Sequence, residues 1–353
     1  MKWRQGEYQA LMKLDDNIKQ YIIPLLEIPA EEWDFENECP KKTVDEHIAK
    51  FGKRLKAKWG SRLCFVDSCY LSPTAFCASG QHHFVELIDQ AEAEGCSTIP
   101  VSGLDRVSPY QTAVSHVVAK YKRGLCLRLK NNDFDKADVK AEISAFLLMH
   151  GVQAEDVDLV IDLGEHVPHS ANAYAVAIQS YLLLTPYLNR WRSLTVSGTS
   201  FPFATNSPEF KPLGRIERFE WLGYKALIRR LGDEDRLPAF SDYTVAHPRT
   251  GKLDPRLMDP NAKIKYTTEG GWIVVIGNQI KRNGREQYRE LCKRIINAPL
   301  PGYDGAGFSD GDLYIQKCAD GLVSTGGSST WPTVMNNHHL TRVVSEIATL
   351  YGI

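Results

Sequence analysis

The chain has 353 residues, 43% of them hydrophobic and 24% charged, and a formal net charge of −1 at pH 7. This composition is that of an ordinary globular protein and excludes a disordered or fibrous one. The near-zero net charge also gives no overall basic field of the kind that drives nucleic-acid binding. The length allows one large α/β domain with additions, or two ordinary domains.

The start of the chain and its cysteines indicate a cytoplasmic protein. The first residues, MKWRQGEYQALMKL, lack the hydrophobic segment of a secretion signal, and no apolar run approaches the roughly 20 residues that span a membrane. The eight cysteines form no C-x-x-C pair, and several lie in apolar segments such as RLCFVD and GLCLRL. We therefore expect buried free thiols in a reducing compartment, not disulfides or a zinc site.

Seven short apolar segments alternate with longer segments of helical period, which is the pattern of a parallel α/β sheet. The repeat of roughly 30 to 40 residues favours a (β/α)8 barrel of the TIM type over an open doubly wound sheet. The tripeptide MKW at the start of the chain would be a very short eighth strand. The predicted strands cover residues 21–28, 62–67, 96–103, 124–129, 157–164, 193–200 and 238–245.

This alternation ends after residue 245, where a Pro- and Gly-rich stretch begins. We predict a barrel over residues 1–246 and a C-terminal appendage over residues 247–353 that packs on the barrel. The appendage would contain a long loop, a β-hairpin in KIKYTTEGGWIVVIGN, a helix, a second loop in PLPGYDGAGFSDGD and a terminal helix. Apolar residues at helical spacing predict that the terminal helix begins near Asn336 or Asn337, acting as its N-cap.

Polar residues stand where the predicted strands end. In a parallel barrel these ends share one face, from which the βα loops project, so functional side chains gather there. Candidates for acid–base catalysis, or for holding a divalent cation, are Glu27, Asp67, Asp162, Asp242 and Tyr243. The alternative for each carboxylate is that it caps the following helix or pairs with a neighbouring basic residue.

A second set of strand-end residues suits an anionic ligand. Lys2 and Arg128 would clamp a negatively charged group, because both side chains carry a permanent positive charge at neutral pH. The backbone of the segment VSGTSFP would cradle a phosphate, with a solvated turn as the alternative. The residues of that segment are Ser197, Gly198, Thr199 and Ser200.

Well-known catalytic and metal-binding motifs are missing from the sequence. There is no G-x-S-x-G, Walker or H-E-x-x-H motif, and Asp304, Asp310 and Asp312 miss the calcium-loop spacing. On a helix the adjacent His338 and His339 point in different directions, so we expect one to be buried, the other exposed, and no metal to be shared. The sequence requires no cofactor, although a divalent cation at the strand ends stays open.

Nine segments occur in the order and spacing typical of one protein family. They are KWRQGEYQAL, IIPLLEI, VDLVIDLG, SGTSFP, EWLGYKAL, FSDYTVAHP, KIKYTTEGGWIVVIG, FSDGDLYI and WPTVMNNHHLTRV. On these segments the chain resembles, over essentially its whole length, the phage-associated beta protein family. The matching positions are Lys2, Glu7, Glu27, Asp162, Ser197, Gly198, Asp242, Tyr243, Tyr266, Trp272, Asp312, Trp331 and His339.

The resemblance implies a biological context and no particular reaction. Proteins of this family occur in prophages, satellite phages and bacterial defence islands. A similar protein belongs to the gop-beta-cII cassette, in which a toxic product is held in check by its neighbours and the cassette acts against phage infection. The resemblance therefore implies a role in antiviral defence with a protein partner from the same cassette, and it carries over no catalytic residue.

Three functional hypotheses follow. The first is a defence protein that acts through a partner, or that senses a ligand at the barrel mouth. The second is a metal- or acid–base-dependent enzyme that acts on a phosphate-bearing or nucleic-acid substrate, although the net charge gives nucleic acid no support. The third is a scaffold without a membrane or catalytic role, in which structural residues fill or line the mouth. Those residues would be Trp272, Asp312, Trp331 and His339.

Overall fold

The structure is a computed structural model and describes residues 1–203, 213–232, 235–249, 254, 256–299 and 301–352. The chain divides into two compact units, each assembled from separate stretches of sequence. The first unit comprises residues 1–3, 23–199 and 219–242, and the second comprises residues 4–22, 200–218 and 243–353.

Strands and helices alternate along most of the chain. The strands are β1 (Leu25–Glu27), β2 (Trp33–Asp34), β3 (Cys39–Pro40), β4 (Cys64–Asp67), β5 (Thr98–Ser102), β6 (Leu125–Lys130), β7 (Val157–Asp162), β8 (Ser193–Gly198), β9 (Leu213–Glu217), β10 (Ala239–Asp242), β11 (Asn261–Thr268) and β12 (Gly271–Gln279). The helices are α1 (Gln5–Lys13), α2 (Asp16–Lys19), α3 (Val44–Ile48), α4 (Phe51–Trp59), α5 (His83–Ala93), α6 (Ser108–Tyr121), α7 (Val139–His150), α8 (Ala171–Leu184), α9 (Phe219–Arg230), α10 (Ile280–Asn283), α11 (Gln287–Ile296), α12 (Asp310–Ala319) and α13 (Thr330–Tyr351).

The first unit is built on a seven-stranded parallel sheet in the order β1-β4-β5-β6-β7-β8-β10. Each of the seven predicted strand segments contains one of these strands, so their number, order and direction are confirmed. Beyond β1, Lys2 forms a parallel bridge with Glu27, as expected for a very short extra strand. Closure of the sheet into an eight-stranded barrel stays a prediction.

The sheet is strongly curved. Three interstrand spacings of about 4.8 Å separate β6 from β1 in this strand order. An arginine side chain cannot cross that width on a flat sheet, yet the guanidinium of Arg128 on β6 lies 2.9 Å from the carboxylate of Glu27 on β1. The strands must therefore curl around a concave inner face, as in part of a barrel wall.

An apolar layer fills the concave face. Its side chains come from alternate positions of neighbouring strands, which a pleated strand directs to the same side of the sheet. Burying each such side chain contributes roughly 1.5–3 kcal/mol to folding. The buried members of the layer are Phe65, Ile99, Val101, Cys126 and Val160, with Leu25 and Leu63 packed against them.

Helices of the first unit pack against one another in pairs, α4 with α5 and α8 with α9. The α8–α9 approach depends on Gly223, because a Cβ atom at that position would lie 2.4 Å from the ring of Tyr174. The segment TVDEHIAKFGKRLKAKWG, one of the stretches of helical period between the predicted strands, forms two helices, α3 and α4. The backbone leaves the helical region at Lys50, which separates them.

The second unit is built on a three-stranded antiparallel sheet in the order β11-β12-β9. The predicted hairpin is present as β11 and β12, and Gly270 in its turn has a φ of 70°, which suits glycine. One face of this sheet joins α11, α12 and α13 in a buried cluster that includes Ile264, Ile273 and Leu291. Sequence analysis missed β9 and treated the start of α12 as a loop.

The terminal helix α13 begins at Thr330, not at Asn336 or Asn337, so the prediction of an asparagine N-cap is wrong. Pro332 lies in the first turn, where its missing N–H group is tolerated, so the helix extends upstream of the apolar repeat. Asn337 is buried within the helix and accepts a hydrogen bond from the Gly311 backbone at 2.9 Å.

Within the described ranges, no helix has the length and apolarity needed to cross a lipid bilayer.

The close packing of α8 on α9 predicts that a Gly→Ala substitution will destabilise the protein, which is the opposite of its usual effect in a helix. Gly→Ala inside a helix usually stabilises by about 1 kcal/mol. We expect Gly223→Ala to lower the free energy of unfolding instead, by about 1–3 kcal/mol, because the added methyl group overlaps the Tyr174 ring. Urea unfolding followed by circular dichroism measures the change. Gly307→Ala is the control, since no atom lies within 4 Å of its added Cβ, and an equal loss there would contradict the packing explanation.

Candidate functional site

A polar layer lies directly above the apolar layer on the concave face of the first unit. Glu27, Asp67, Arg128 and Asp162 each stand two residues after an apolar-layer residue of the same strand, so strand alternation places all four on the inner side. All four are buried, with exposed fractions between 0% and 7%. Four of the residues predicted from the sequence are thus brought together at the carboxyl ends of β1, β4, β6 and β7.

Arg128 is the centre of this layer. Its guanidinium lies 2.9 Å from Glu27 Oε1 and 3.0 Å from Asp67 Oδ2. Two further nitrogens approach Asp162 Oδ2, Nε at 2.8 Å and Nη2 at 2.7 Å. A planar fork of N–H donors suits this task, since it serves carboxylates in several directions at once, which the single ammonium of a lysine does not.

Other groups hold the two aspartates in place. Arg106 donates to both oxygens of Asp67 at 3.1 Å, which adds a second buried cation to the layer. The Cys69 backbone donates to Asp67 at 3.0 Å, and the Gly164 backbone donates to Asp162 at 2.9 Å. These turns immediately after the strands fix the carboxylate positions.

One carboxylate oxygen of the layer lacks a partner. Glu27 is 2% exposed, and its Oε2 accepts no hydrogen bond within the described part of the chain. A buried acceptor without a donor costs about 1–3 kcal/mol. Ser197 extends the layer on β8, and its hydroxyl donates to the Ser241 hydroxyl on β10 at 3.3 Å.

Several other predicted residues do not join this layer. Asp242 alternates with Ser241 along β10, so it lies on the side of Phe240, which packs against Trp221 and Tyr224 of α9. Tyr243 belongs to the second unit, where it is buried.

The segment predicted to cradle a phosphate is occupied by the protein itself. The Thr199 backbone N–H donates to the Gly164 carbonyl at 2.8 Å. A Cβ at Gly198 would meet Val167 at 2.6 Å, so this glycine serves close packing. Ser200 belongs to the second unit and donates to the Glu217 carbonyl at 3.1 Å.

Residues at the edge of the polar layer were missed by sequence analysis. Tyr70 is half-buried, and burial, followed by the charge of Glu27, raises its pKa, so the phenol keeps its proton. The Lys2 ammonium lies 5.6 Å from the centre of the Tyr70 ring. Tyr70 and Arg106 each stand three residues beyond the end of a predicted strand, and this position is the only signal that could have found them. Ser241 lies within the predicted strand 238–245 and carried no signal of its own.

The geometry favours binding over catalysis. A general base needs a carboxylate whose lone pairs are free to take a proton. Asp67 and Asp162 are instead held by Arg128, Asp67 is also held by Arg106, and Glu27, paired with Arg128 through Oε1, keeps only Oε2 without a donor. Among the residues that the structure describes, no group of three or more histidine, cysteine, aspartate or glutamate side chains is arranged to hold a metal ion.

The second unit has its own buried polar network, centred on Asp312. Its carboxylate accepts hydrogen bonds from the Tyr266 hydroxyl at 2.7 Å and the Ser309 hydroxyl at 2.6 Å, and lies 2.9 Å from His338 Nδ1. His338 Nε2 lies 2.8 Å from the Thr267 carbonyl. The ring is thus held between two acceptor groups, one on each side. Burial and the Asp312 charge raise the pKa of Tyr266, which therefore remains a donor.

Both histidines of the NNHH segment are buried, which corrects the expectation that one faces solvent. Helix α13 is covered on more than one side, so neighbouring positions are both enclosed. His339 Nδ1 lies 2.8 Å from the Thr267 hydroxyl, and its ring stacks on Trp272 at 4.9 Å. Trp331 stacks on Tyr288 at 4.3 Å.

Lys265 is an unusual cation of the second unit. Its ammonium donates to the Val245 carbonyl at 2.8 Å and lies 3.9 Å from the centre of the Phe201 ring. Burial lowers the pKa of Lys265 to about 7, and the charge of Lys263 adds to the effect. Near neutral pH this side chain is therefore only partly charged.

All eight cysteines are free, as the sequence predicted.

A family model described as Beta protein matches residues 1–345, which is nearly the whole chain. A comparison with curated proteins found no match.

The ion pairs of Arg128 make it the residue on which the polar layer depends. We expect Arg128→Met to lower the free energy of unfolding by about 3–5 kcal/mol, because it leaves three buried carboxylates without their shared cation. Chemical denaturation measures the change. Arg190→Met is the matched control, since Arg190 pairs with Glu155 at the surface and such pairs contribute about 0–1 kcal/mol. Equal losses in the two variants would contradict this account.

Lys265 gives a pH-dependent prediction. Its folded pKa of about 7 lies below the roughly 10.4 of an unfolded lysine, so between these values the unfolded chain binds more protons and stability rises with pH. We expect Lys265→Met to reduce this rise between pH 7 and pH 10, and to stabilise the protein at pH 7 by about 1–3 kcal/mol. Thermal unfolding across this range measures both effects. Lys317 is exposed, so Lys317→Met should leave the dependence of stability on pH unchanged. A Lys265→Met curve that runs parallel to that of the wild type would contradict the lowered pKa of Lys265.

Proposed function

The chain belongs to the Beta protein family, and from this premise we propose that it is a sensor in antiviral defence that binds a small polar ligand at its strand ends. The observation that carries the proposal is the polar layer of Glu27, Asp67, Arg128 and Asp162 at the carboxyl ends of four parallel strands. Open and closed parallel sheets both bind ligands at this edge.

The chemistry of the layer indicates what kind of ligand fits. Glu27 Oε2 is a buried acceptor without a donor, so a ligand hydroxyl or amino group would satisfy it. Tyr70 supplies a protonated phenol at the edge. Because the three inner carboxylates outnumber the two guanidinium groups of Arg128 and Arg106, the site favours a neutral or weakly cationic polar molecule over a polyphosphate.

Two further elements belong to this proposal. Closure of the sheet into a (β/α)8 barrel, with residues 1–3 as its eighth strand, would enclose the polar layer on all sides. A protein partner encoded in the same cassette would receive the signal when ligand binding rearranges the pairs around Arg128. The alternative, a metal- or acid–base-dependent enzyme acting on a phosphate-bearing or nucleic-acid substrate, is less well supported, because the candidate carboxylates are already ion-paired.

Two aspartates of β7 provide a matched test. Asp162 and Asp158 are both buried, both pair with an arginine, and lie at opposite ends of the same strand. We expect Asp162→Asn to reduce protection of a bacterial host against phage, because losing a charged hydrogen-bonding group weakens ligand binding roughly tenfold. Asp158→Asn should retain protection. Efficiency of plating measures protection, and thermal unfolding confirms that both variants fold.

The sensor proposal fails if both variants protect the host as well as the wild type does. It also fails if both lose protection in proportion to their loss of stability, because the strand-end position then has no special role. To separate sensing from catalysis, the wild-type protein is recovered from infected cells and examined by native mass spectrometry. A bound small molecule that stays chemically unchanged on incubation supports sensing, whereas its conversion supports the enzyme alternative.

A further inference from the structure

One helix of the first unit carries only positive charge. Between Glu46 and Asp67 the sequence contains no acidic residue, while six basic residues lie in and around α4. This concentration stands out in a chain whose net charge is −1. The six are Lys50, Lys53, Arg54, Lys56, Lys58 and Arg62.

Helical geometry collects these charges on one side of α4. The buried residues Phe51, Gly52, Leu55 and Trp59 occupy one face, which packs towards α5. At 3.6 residues per turn, every remaining position of the helix except Ala57 is basic. The surface that α4 presents to solvent is therefore a basic arc in which Ala57 is the one uncharged position.

The placing of these charges is unfavourable for the helix itself. Cations suit the last turn of a helix, where Lys56 and Lys58 lie, because the backbone dipole is negative there. Lys50 and Lys53 instead stand at the start of the helix, whose first turn has no acidic residue. Each such cation costs roughly 0.3–1 kcal/mol relative to an anion at that end. Helix formation therefore does not explain why Lys50 and Lys53 stand at this end of α4.

Intramolecular pairing does not explain Lys50, Lys53 and Lys56 either. Within the described ranges of the chain, Lys50, Lys53 and Lys56 have no carboxylate within 4 Å, and the Lys56 ammonium donates to the Ser61 hydroxyl at 2.6 Å. The nearby Glu92 of α5 is held by Arg123 and by the Thr98 hydroxyl. The charges of these lysines are thus available to an external anion.

We propose that the basic arc of α4 binds the phosphodiester backbone of duplex DNA. The nine residues of α4 span about 13.5 Å, along which duplex DNA carries about eight phosphate charges at one per 1.7 Å. The arc presents no aromatic side chain on which an unpaired base would stack, so the duplex is favoured over a single strand. It also has no exposed large apolar residue that would enter a lipid surface.

The contact is with phosphates and carries no sequence preference. Its strength follows from counterion release, so log Kd depends linearly on the logarithm of the salt concentration. For the three phosphates that Lys50, Lys53 and Lys56 would contact, the logarithm of the association constant should fall with log[salt] with a slope of roughly −2.7. This binding is independent of the ligand site at the strand ends, and either proposal can hold without the other.

The test uses a fluorescein-labelled DNA duplex of random sequence and the full-length protein, with fluorescence anisotropy measured across a KCl titration. The variant Lys50→Glu/Lys53→Glu/Lys56→Glu reverses three charges of the arc. We expect its affinity to fall at least roughly tenfold and its salt slope to lose about 2.7, from about 0.9 per phosphate contact. Glutamate suits the start of the helix, where Lys50 and Lys53 stand, but not the last turn, where Lys56 lies, so the opposing effects should leave thermal stability little changed.

The control variant Lys140→Glu/Arg229→Glu/Lys317→Glu makes the same change in net charge with exposed cations from three other helices. It should bind the duplex as the wild type does, apart from a small uniform loss. Equal weakening by the two triple variants would overturn the proposal, because binding would then follow net charge alone. So would the absence of duplex binding at low salt, stronger binding of the matching single strand, or binding only to vesicles that contain phosphatidylserine.

Discussion

The structure of the first unit depends on one buried arginine that is shared by three carboxylates. Arg128 reaches Glu27, Asp67 and Asp162 from a strand that lies three places from β1 and next to β7. These contacts exist only if the sheet is curved and each strand is in register, since a slip of one residue would turn a charged side chain to the opposite face. Because an unpaired buried charge is so costly, the ion pairs select this register against others.

The second unit applies the same constraint differently. Asp312 is buried, and its charge is met by a histidine ring and two hydroxyl groups that come from β11, α13 and the turn before α12. The elements meet correctly only when all of these donors are present. Both units therefore use a satisfied buried carboxylate to fix the relative positions of their own strands and helices, at a cost in desolvation that the hydrogen bonds offset.

Features that depend on a local sequence pattern, such as strands and the polar residues near their ends, were predicted from the sequence. Most of the seven parallel strands were identified because they are short apolar runs of strand length, and four polar-layer residues were identified because they stand near the ends of such runs. The sequence did not predict what depends on distant partners. β9 is a short segment with alternating charge that becomes a strand by pairing with β12. Arg106 becomes part of the site because the loop after β5 brings it to Asp67 at the end of the neighbouring strand β4. Pro332 concealed the true start of α13, because proline interrupts a helical pattern except in the first turn.

The connectivity of the first unit links its two proposed binding surfaces. The chain leaves β1 at Glu27, passes through α4 and returns along β4 to Asp67, so the basic arc lies on the connection between two strands that supply carboxylates to the polar layer. A ligand that draws Glu27 or Asp67 away from Arg128 acts on the ends of that connection, and DNA acts on its middle. If the two events influence each other, thermodynamic linkage requires that each change the affinity of the other by the same factor. The defence response would then depend on whether DNA and the ligand are present together, which neither surface could report alone.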